Sequence, residues 1–498
     1  MNKRRFSPRV STLGLSFLVL LCLSCAGPDL ATPTATPDIP ALETQVASKL
    51  AATLTAKAPT VTRTPRPTRV LPEAQPTPTA TWTPTPEPSP TSVGAWLAFV
   101  RVTQDQVANI LLYNTVQQED EVLTHFVEPL NMSDLSWSKD GQRLLFVSAH
   151  DYIHSRNNER NAFMMRPDGT GLRMITGDYV DPAEAPGPYV TLEGQVVGGQ
   201  GPCLVCAQGA ASSVMTDEGG SFELPGVPVF ARWARAVCQN SGIALQGDMD
   251  LAIKEGTTTP ISITVEARGQ GWTQASLSRD NRLIVGNRYQ WALDKEGKQQ
   301  YRIEGSLQDL ETQALTALEI PTDTTLIGLD WSPVADEAVG ALTGAKATWI
   351  WRWDAQGKSL GALIEMVNPE QDIQSASNPV WSPDGRQLVF ALRHWLWWGG
   401  DKYKTEILVA EANGQNLRTP VIVDWGLHAT NPSWATDGRS LYYQLAKADP
   451  SDPHLSETQG DIWVVMLADD AVPTAWTQDG VSYLPAASPP RVPGGSSK

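Results

Sequence analysis

Three groups of side chains in this 498-residue chain have types and spacings that suit chemistry. The first is Arg393-His394-Trp395-Leu396-Trp397-Trp398-Gly399-Gly400-Asp401, which reads as a loop. Indole faces suit sugar rings, cations or a protein hot spot. His394, Trp395, Trp397 and Trp398 are therefore the candidate ligand-binding residues. Aromatic packing inside the protein is the competing use. The second group is His150-Asp-Tyr-Ile-His154. Two imidazoles four apart share one face of a helix and could hold a metal there. The Ser and Asn residues that follow read as irregular loop instead, so no metal site is expected. The third group is Cys203, Cys206 and Cys238. Residues three apart face opposite sides of a regular strand, so only one of Cys203 and Cys206 can bridge to Cys238. The alternatives are no disulfide, a Cys203–Cys206 loop, or zinc. Zinc lacks a fourth ligand, since the surrounding segment contains no His.

Other reactive patterns are missing. There is no G-x-S-x-G elbow and no H-E-x-x-H. Gly357-Lys358-Ser359 resembles the end of a phosphate-binding loop, but Arg352 stands where the earlier glycine is required. Acidic residues are numerous, yet no spacing selects a catalytic pair. The expectation is a protein without catalysis, cofactor or metal. A polysaccharide-degrading enzyme with an acidic site is the alternative. The chain has 38 basic and 54 acidic residues, a net charge of −16. Its first 24 residues carry Lys3, Arg4, Arg5 and Arg9 and no acid, so the remainder stands at −20. Nucleic-acid binding needs a basic stripe to displace counterions from phosphates, and is excluded. Electrostatic docking on anionic lipid is disfavoured for the same reason. With 39 Gly, 38 Pro and only 18% charged residues, a long helical bundle is disfavoured too.

Residues 1–24 read as a lipoprotein signal peptide. A basic n-region precedes an apolar run, Leu13 to Leu23, too short to span a bilayer comfortably. Cys22-Leu-Ser-Cys25-Ala-Gly resembles the lipobox of bacterial lipoproteins. The resemblance implies a diacylated Cys25 at the new N-terminus, tethering the chain to the extracytoplasmic face of a membrane without a transmembrane helix. It departs from the family in having Cys22 where Leu is favoured. An ordinary cleaved signal with a free Cys25, or an uncleaved anchor, are the alternatives. Residues 25–93 form the linker. Within it, Leu42, Val46, Leu50 and Leu54 are four apart and predict a short helix over 41–58, marginal when alone. From Pro59 to Val93, 20 of 35 residues are Pro or Thr, too few apolar groups to offset chain entropy. Such a disordered stalk reaches up to roughly 100 Å when extended as polyproline II.

An internal repeat organises the rest. Leu135-Ser-Trp-Ser-Lys-Asp-Gly141, Leu329-Asp-Trp-Ser-Pro333, Pro379-Val-Trp-Ser-Pro-Asp-Gly385 and Pro432-Ser-Trp-Ala-Thr-Asp-Gly438 align on Trp137, Trp331, Trp381 and Trp434. A fifth copy places Leu277 in the Trp position and Asn281 in the Gly position. Asp-Gly between apolar runs is a strong hairpin signal, because tight turns want positive φ. Further turns at Gly169, Gly297, Gly357 and Gly414 read as joining third and fourth strands. Four strands at a period near 50 residues define a propeller blade. The repeat resembles that of TolB-like six-bladed propellers, whose signature is W-S-P-D-G. The resemblance implies an all-β, six-bladed propeller over 94–187 (blades one and two) and 269–490 (blades three to six). Blade one lacks a first strand ahead of Trp96. Pro485-Ala-Ala-Ser488 occupies the first-strand slot at the C-terminus and is expected to close the ring. Residues 491–498 read as a disordered tail.

Between blades two and three the period is broken by an excess of about 86 residues. Residues 188–268 carry alternating apolar runs. Thr216-Asp-Glu-Gly-Gly-Ser-Phe-Glu-Leu-Pro-Gly-Val-Pro228 resembles the matching run of carboxypeptidase regulatory-like domains. That likeness implies a small transthyretin-like β-sandwich and contributes no catalytic residue. In a propeller, second-to-third loops share a face with interblade connections. Blades two, five and six have long loops there and blades three and four short ones, and the insert joins the same face. The Trp349, Trp351 and Trp353 set alternates along a third strand and is expected between blades. The combined expectation is a monomeric, lipid-anchored, extracytoplasmic recognition or scaffold protein. Its loop-rich face would bind an envelope glycan, peptide or protein. A Tol-type envelope scaffold is a further alternative.

Overall fold

The computed structural model describes residues 96–127, 132–156, 158–199, 201–240, 243–254, 260–368, 372–396, 403–423, 426–447, 460–468 and 470–489. The signal peptide, Cys25, the stalk and the tail lie outside these residues. The described chain is all-β, apart from a short 3₁₀ turn at Tyr152–His154. Among the described residues no helix is long and apolar enough to cross a membrane.

The strands form successive antiparallel meanders. β1 (Trp96–Val102), β2 (Ala108–Asn114) and β3 (Glu119–Val122) belong to the first sheet. β4 (Met132–Trp137), β5 (Leu144–Ser148), β6 (Asn161–Met165) and β7 (Arg173–Met174) form the second. The chain then leaves for β8 (Tyr189–Val197), β9 (Cys203–Ala207), β10 (Val214–Met215), β11 (Ser221–Pro228), β12 (Trp233–Asn240), β13 (Ile243–Asp250) and β14 (Ile261–Thr264). It returns for a third sheet, β15 (Arg268–Leu277), β16 (Leu283–Leu293), β17 (Gln299–Asp309) and β18 (Leu315–Ala317). The fourth sheet is β19 (Thr324–Trp331), β20 (Glu337–Gly344), β21 (Ala347–Asp354) and β22 (Ser359–Val367). The fifth is β23 (Asp372–Trp381), β24 (Gln387–Leu396), β25 (Tyr403–Glu411) and β26 (Arg418–Val423). The sixth is β27 (Leu427–Trp434), β28 (Ser440–Lys447), β29 (Asp461–Met466) and β30 (Thr474–Ala475). The last strand, β31 (Ser482–Ala487), does not join the sixth sheet. It pairs antiparallel with β1, Leu97 opposite Ala487 and Ala98 opposite Ala486, and completes the first sheet to four strands.

The apolar pattern explains the stacking. These strands are apolar at consecutive positions, as sheets buried on both faces require. In β24, Leu388, Phe390 and Leu392 enter a cluster shared with the fourth sheet, while Val389 and Ala391 enter one shared with the sixth. The same holds around the molecule. A buried cluster lies between each consecutive pair of sheets, and Leu97, Phe99 and Leu111 share another with Tyr442 and Ile462 of the sixth. Each repeat Trp is buried against the preceding sheet. Trp137 Nε1 donates to Ala486 O (2.8 Å) and Trp434 Nε1 to Val380 O (3.0 Å). Leu277 fills the same slot in the third sheet. Asn281 takes φ of 59° where three other repeats use Gly141, Gly385 and Gly438, as its turn requires.

One expected turn is misplaced. Asp294-Lys-Glu-Gly297 joins β16 to β17, the second and third strands of its sheet, not the third and fourth. Both strands run for 11 residues, so this hairpin extends far beyond its sheet. A Gly-centred turn suits either hairpin, and residue spacing alone cannot tell which. The third sheet therefore carries a long projection where a short loop was expected.

The inserted segment forms two sheets, β10-β9-β12-β13 and β11-β8-β14, around a core that includes Leu192, Val205, Leu224, Ala236 and Ile263. β14 pairs parallel to β8. Cys203 and Cys238 lie opposite each other on β9 and β12 and form a disulfide. Cys206 stays a free buried thiol, pushed up to about 12 by burial. Removing residues 481–498 deletes β31 and leaves β1 with an open edge. The truncated chain should show a lower, broadened thermal transition. An unchanged melting temperature would refute the role given to β31.

Candidate functional site

The inner strands of the six sheets leave a narrow axial cavity of about 120 Å³, bordered by Asp134, Ser276, Asp330, Val380, Ser433 and Ala486 among others. Each inner strand has an open edge, and its N–H groups need acceptors. Side chains of the preceding sheet supply them. Ser276 Oγ accepts from Trp331 N (3.1 Å), Asp330 Oδ2 from Trp381 N (2.9 Å), and Ser433 Oγ from Ala487 N (3.1 Å). All three acceptors stand one residue before the repeat Trp position. Two residues earlier, Asp134 Oδ2 accepts from Ala275 N (2.8 Å) and Gln274 Oε1 from Leu329 N (3.1 Å). Lys139 stands where two other repeats have Pro, Pro333 and Pro383. Its Nζ reaches Asp330 Oδ1 at 2.6 Å, and Ser276 Oγ donates to the same oxygen at 2.8 Å. Asp134 is partly buried and borders this cavity. Desolvation pushes its carboxyl up to about 7, against the opposing Ala275 N–H bond, and Asp330 adds to the rise.

The opposite structural focus is the side bearing second-to-third loops and the insert. Arg235 of β12 is fully buried. Its Nη1 donates to Ser155 O (2.8 Å) in the second sheet's long loop and lies 3.8 Å from Asp248, and its Nη2 donates to Gln246 Oε1. Gln246 Nε2 in turn donates to Arg268 O and to Glu159 Oε1 (3.3 Å). Glu159 Oε2 accepts from Tyr289 OH (3.0 Å) and Trp291 Nε1 (3.1 Å) of the long hairpin. One carboxylate thus ties the second sheet's loop, the third sheet's hairpin and the insert together. Gly269 and Gly271 make this possible. A Cβ at Gly269 would meet Trp291 Nε1 at 2.2 Å and Glu159 Oε2 at 2.3 Å, and one at Gly271 would meet Arg160 N at 2.7 Å. Beside this junction, Gln246 and Asp248 of the insert face the hairpin across a cleft of about 520 Å³.

The residues singled out from sequence fare differently. Trp397 and Trp398 lie outside the described residues. Trp395 lies in β24, opposite Ile373 and Tyr403, not in a loop. The strand persists because β25 pairs with it up to that point. His394 is in the same strand, its Nε2 3.7 Å from Glu406. His150 is buried, stacked 3.6 Å from Phe126, and hydrogen-bonded through Nδ1 with Ser148 Oγ. Burial holds it down near 4. His154 is likewise depressed by burial, with Asp151 opposing. Among the described residues no group of metal-ligating side chains is assembled. Trp353 is fully buried between the third and fourth sheets, with Trp349 and Trp351 packed against the same cluster. Glu159, Arg235 and the cleft were not picked out from sequence. Their signal was faint: two glycines alternating within a strand, which mark close approach of another group.

The solved structures to which this chain is similar include TolB-like β-propeller proteins. Similar solved structures include TolB from Acinetobacter baumannii, with 12% identity, 79% of this chain and 67% of that one covered, and a TM-score of 0.43. Others are oligogalacturonate lyase from Vibrio parahaemolyticus (15% identity, 78% and 89% covered, TM-score 0.33) and the periplasmic gluconolactonase of Pseudomonas aeruginosa (12%, 80% and 99%, 0.37). No family model and no curated protein matches the sequence, so the lipoprotein and regulatory-like resemblances rest on their own motifs. The expectation that the chain is not an enzyme is corrected. The similar solved structures include a lyase and a lactonase as well as TolB, and fold likeness selects neither catalysis nor its absence.

Two outcomes are expected. The folded Asp134 carboxyl lies above its ordinary value of 3.8, so its contribution to stability is full below about pH 4 and lost as pH rises through 7. Asp134→Asn keeps an acceptor for Ala275 N–H and cannot ionise. Wild type should lose about 2–4 kcal/mol more than this variant between pH 4 and 8, measured by denaturant unfolding. Parallel stability profiles would contradict the assignment. Glu159→Ala strands the Tyr289 and Trp291 donors and should cost about 1–3 kcal/mol. Amide exchange should rise selectively in the 289–303 hairpin, and a uniform rise would argue against a local junction.

Proposed function

We propose that the chain is a lipid-anchored recognition protein of the extracytoplasmic face. In this reading, Cys25 is the anchor and residues 25–93 are the stalk. The six sheets form a six-bladed propeller closed by β31, and the insert is a regulatory-like β-sandwich. The face bearing the insert and the long hairpin binds an envelope glycan, peptide or protein. One observation carries the reading. The insert, the second sheet's loop and the third sheet's hairpin are bolted together through Glu159 and Arg235, and beside that junction lies a polar cleft of about 520 Å³. Loops and inserts held rigidly on one side of a scaffold are where binding residues concentrate. Trp397 and Trp398, in the segment that joins β24 to β25, are proposed as a second contact point.

Two measurements test it. Intrinsic Trp fluorescence of the full chain should shift saturably with at least one member of a panel of envelope glycan fragments and peptides. No shift with any member removes the small-ligand form of the reading. Cys25→Ala should release the chain from the membrane fraction and abolish acylation detected by mass spectrometry. Continued membrane retention would count against the anchor.

A further inference from the structure

We propose that the cleft between the insert and the β16–β17 hairpin binds a saccharide bearing carboxylates, a uronic-acid oligosaccharide. The inference rests on the recognition reading above and names its site and ligand class. Strand register places nine residues of β15, β16 and β17 on one sheet face in three rows. The row nearest the sheet's core is Trp272–Arg288–Glu304, whose members contact one another. Arg288 lies 5.6 Å from the Trp272 ring centre and 3.5 Å from Glu304. The next rows are Gln270–Gln290–Arg302 and Arg268–Ala292–Gln300, and all six residues border the cleft.

Their chemistry is specific. Gln270 and Gln290 are half-buried neighbours whose carboxamides have no hydrogen-bond partner among the described residues. Each offers a planar donor and acceptor side by side, the arrangement that vicinal hydroxyls match. The Arg268 guanidinium has no ion pair among the described residues, and Arg302 is largely exposed with Glu304 at the limit of contact, 3.8 Å. A guanidinium fork matches a carboxylate in a bidentate way. Ala292 separates Arg268 from Gln300 and leaves a hollow in the middle of the array. The one acid in the facing wall, Asp248, is already beside Arg235. The cleft is thus locally basic on a chain of net charge −16. Its volume falls in the range of small-molecule sites, about 300–1,000 Å³. An extended peptide would read backbone groups at a free strand edge. Here the ligand meets a sheet face and only side chains can read it, which favours a sugar.

The test is isothermal titration of the full chain with three probes: a uronic-acid trisaccharide, its carboxyl-reduced neutral counterpart, and a glutamate hexapeptide. The uronate should bind saturably, and the neutral sugar at least tenfold more weakly. The double variant Arg268→Ala/Arg302→Ala should erase that difference. Ala292→Trp, at an exposed position, should fill the hollow and abolish binding with an unchanged melting temperature. Gln290→Ala should weaken binding severalfold and serves where the Trp variant fails to fold. If the uronate binds wild type and the Ala292→Trp and Gln290→Ala variants equally, recognition stands and this cleft falls. A preference for the peptide overturns the ligand class. If no probe binds, this site is refuted, while the fluorescence panel still decides the broader reading.

Discussion

Every inner strand of this protein presents an unpaired backbone edge toward the axis, and the architecture follows from how those N–H groups are satisfied. The acceptors are side chains one and three residues before the repeat Trp position. Ser276, Asp330 and Ser433 each reach forward to the next sheet, and Asp134 and Gln274 do the same one step earlier along the strand. Each such bond exchanges a water partner for a protein partner, so its net gain is modest, while losing one inside the cavity is costly. The sheets are therefore locked in order as well as stacked. β31 belongs to this system twice: it pairs with β1, and its Ala487 N–H is held by Ser433 of the sixth sheet.

Given that stacking, burial on both faces of every sheet becomes a requirement. Consecutive apolar residues such as Leu388 to Ala391 are tolerated only because both neighbours cover them. The repeat Trp marks the seam with the preceding sheet, and its large buried surface dominates each seam. Leu277 shows that the seam asks for apolar volume more than for an indole.

A rigid stack of sheets frees one side of the molecule for elaboration. The long hairpin of the third sheet would be marginal by itself, since a two-stranded ribbon buries too little. It is held because Glu159 gathers its Tyr289 and Trp291 donors and Arg235 brings in the insert. The insert is covalently an interruption between the second and third sheets, but physically a wall of the cleft. Its buried Arg235 carries a cost of desolvation that Ser155, Gln246 and Asp248 offset together. Truncating any one partner should be felt in the others.

The sequence by itself determined the local units. Asp-Gly turns, short apolar runs and the Trp period specify hairpins and their spacing, because a turn's φ requirement and the length of an apolar run are local properties. The C-terminal slot for β31 was legible for the same reason: its distance from Pro432 repeats the period. What the tertiary structure decided is everything that depends on which elements meet. Spacing could not say whether Gly297 turns between second and third strands or third and fourth, since both hairpins want the same residue. It placed Trp395 in a loop, whereas pairing with Tyr403 of β25 keeps it in a strand. Glu159 and Arg235 look ordinary in sequence, because an ionisable side chain gains such a structural role only when a partner 80 or more residues away comes within reach of it. Convergence of that kind is a property of the folded chain and leaves no periodic mark to read.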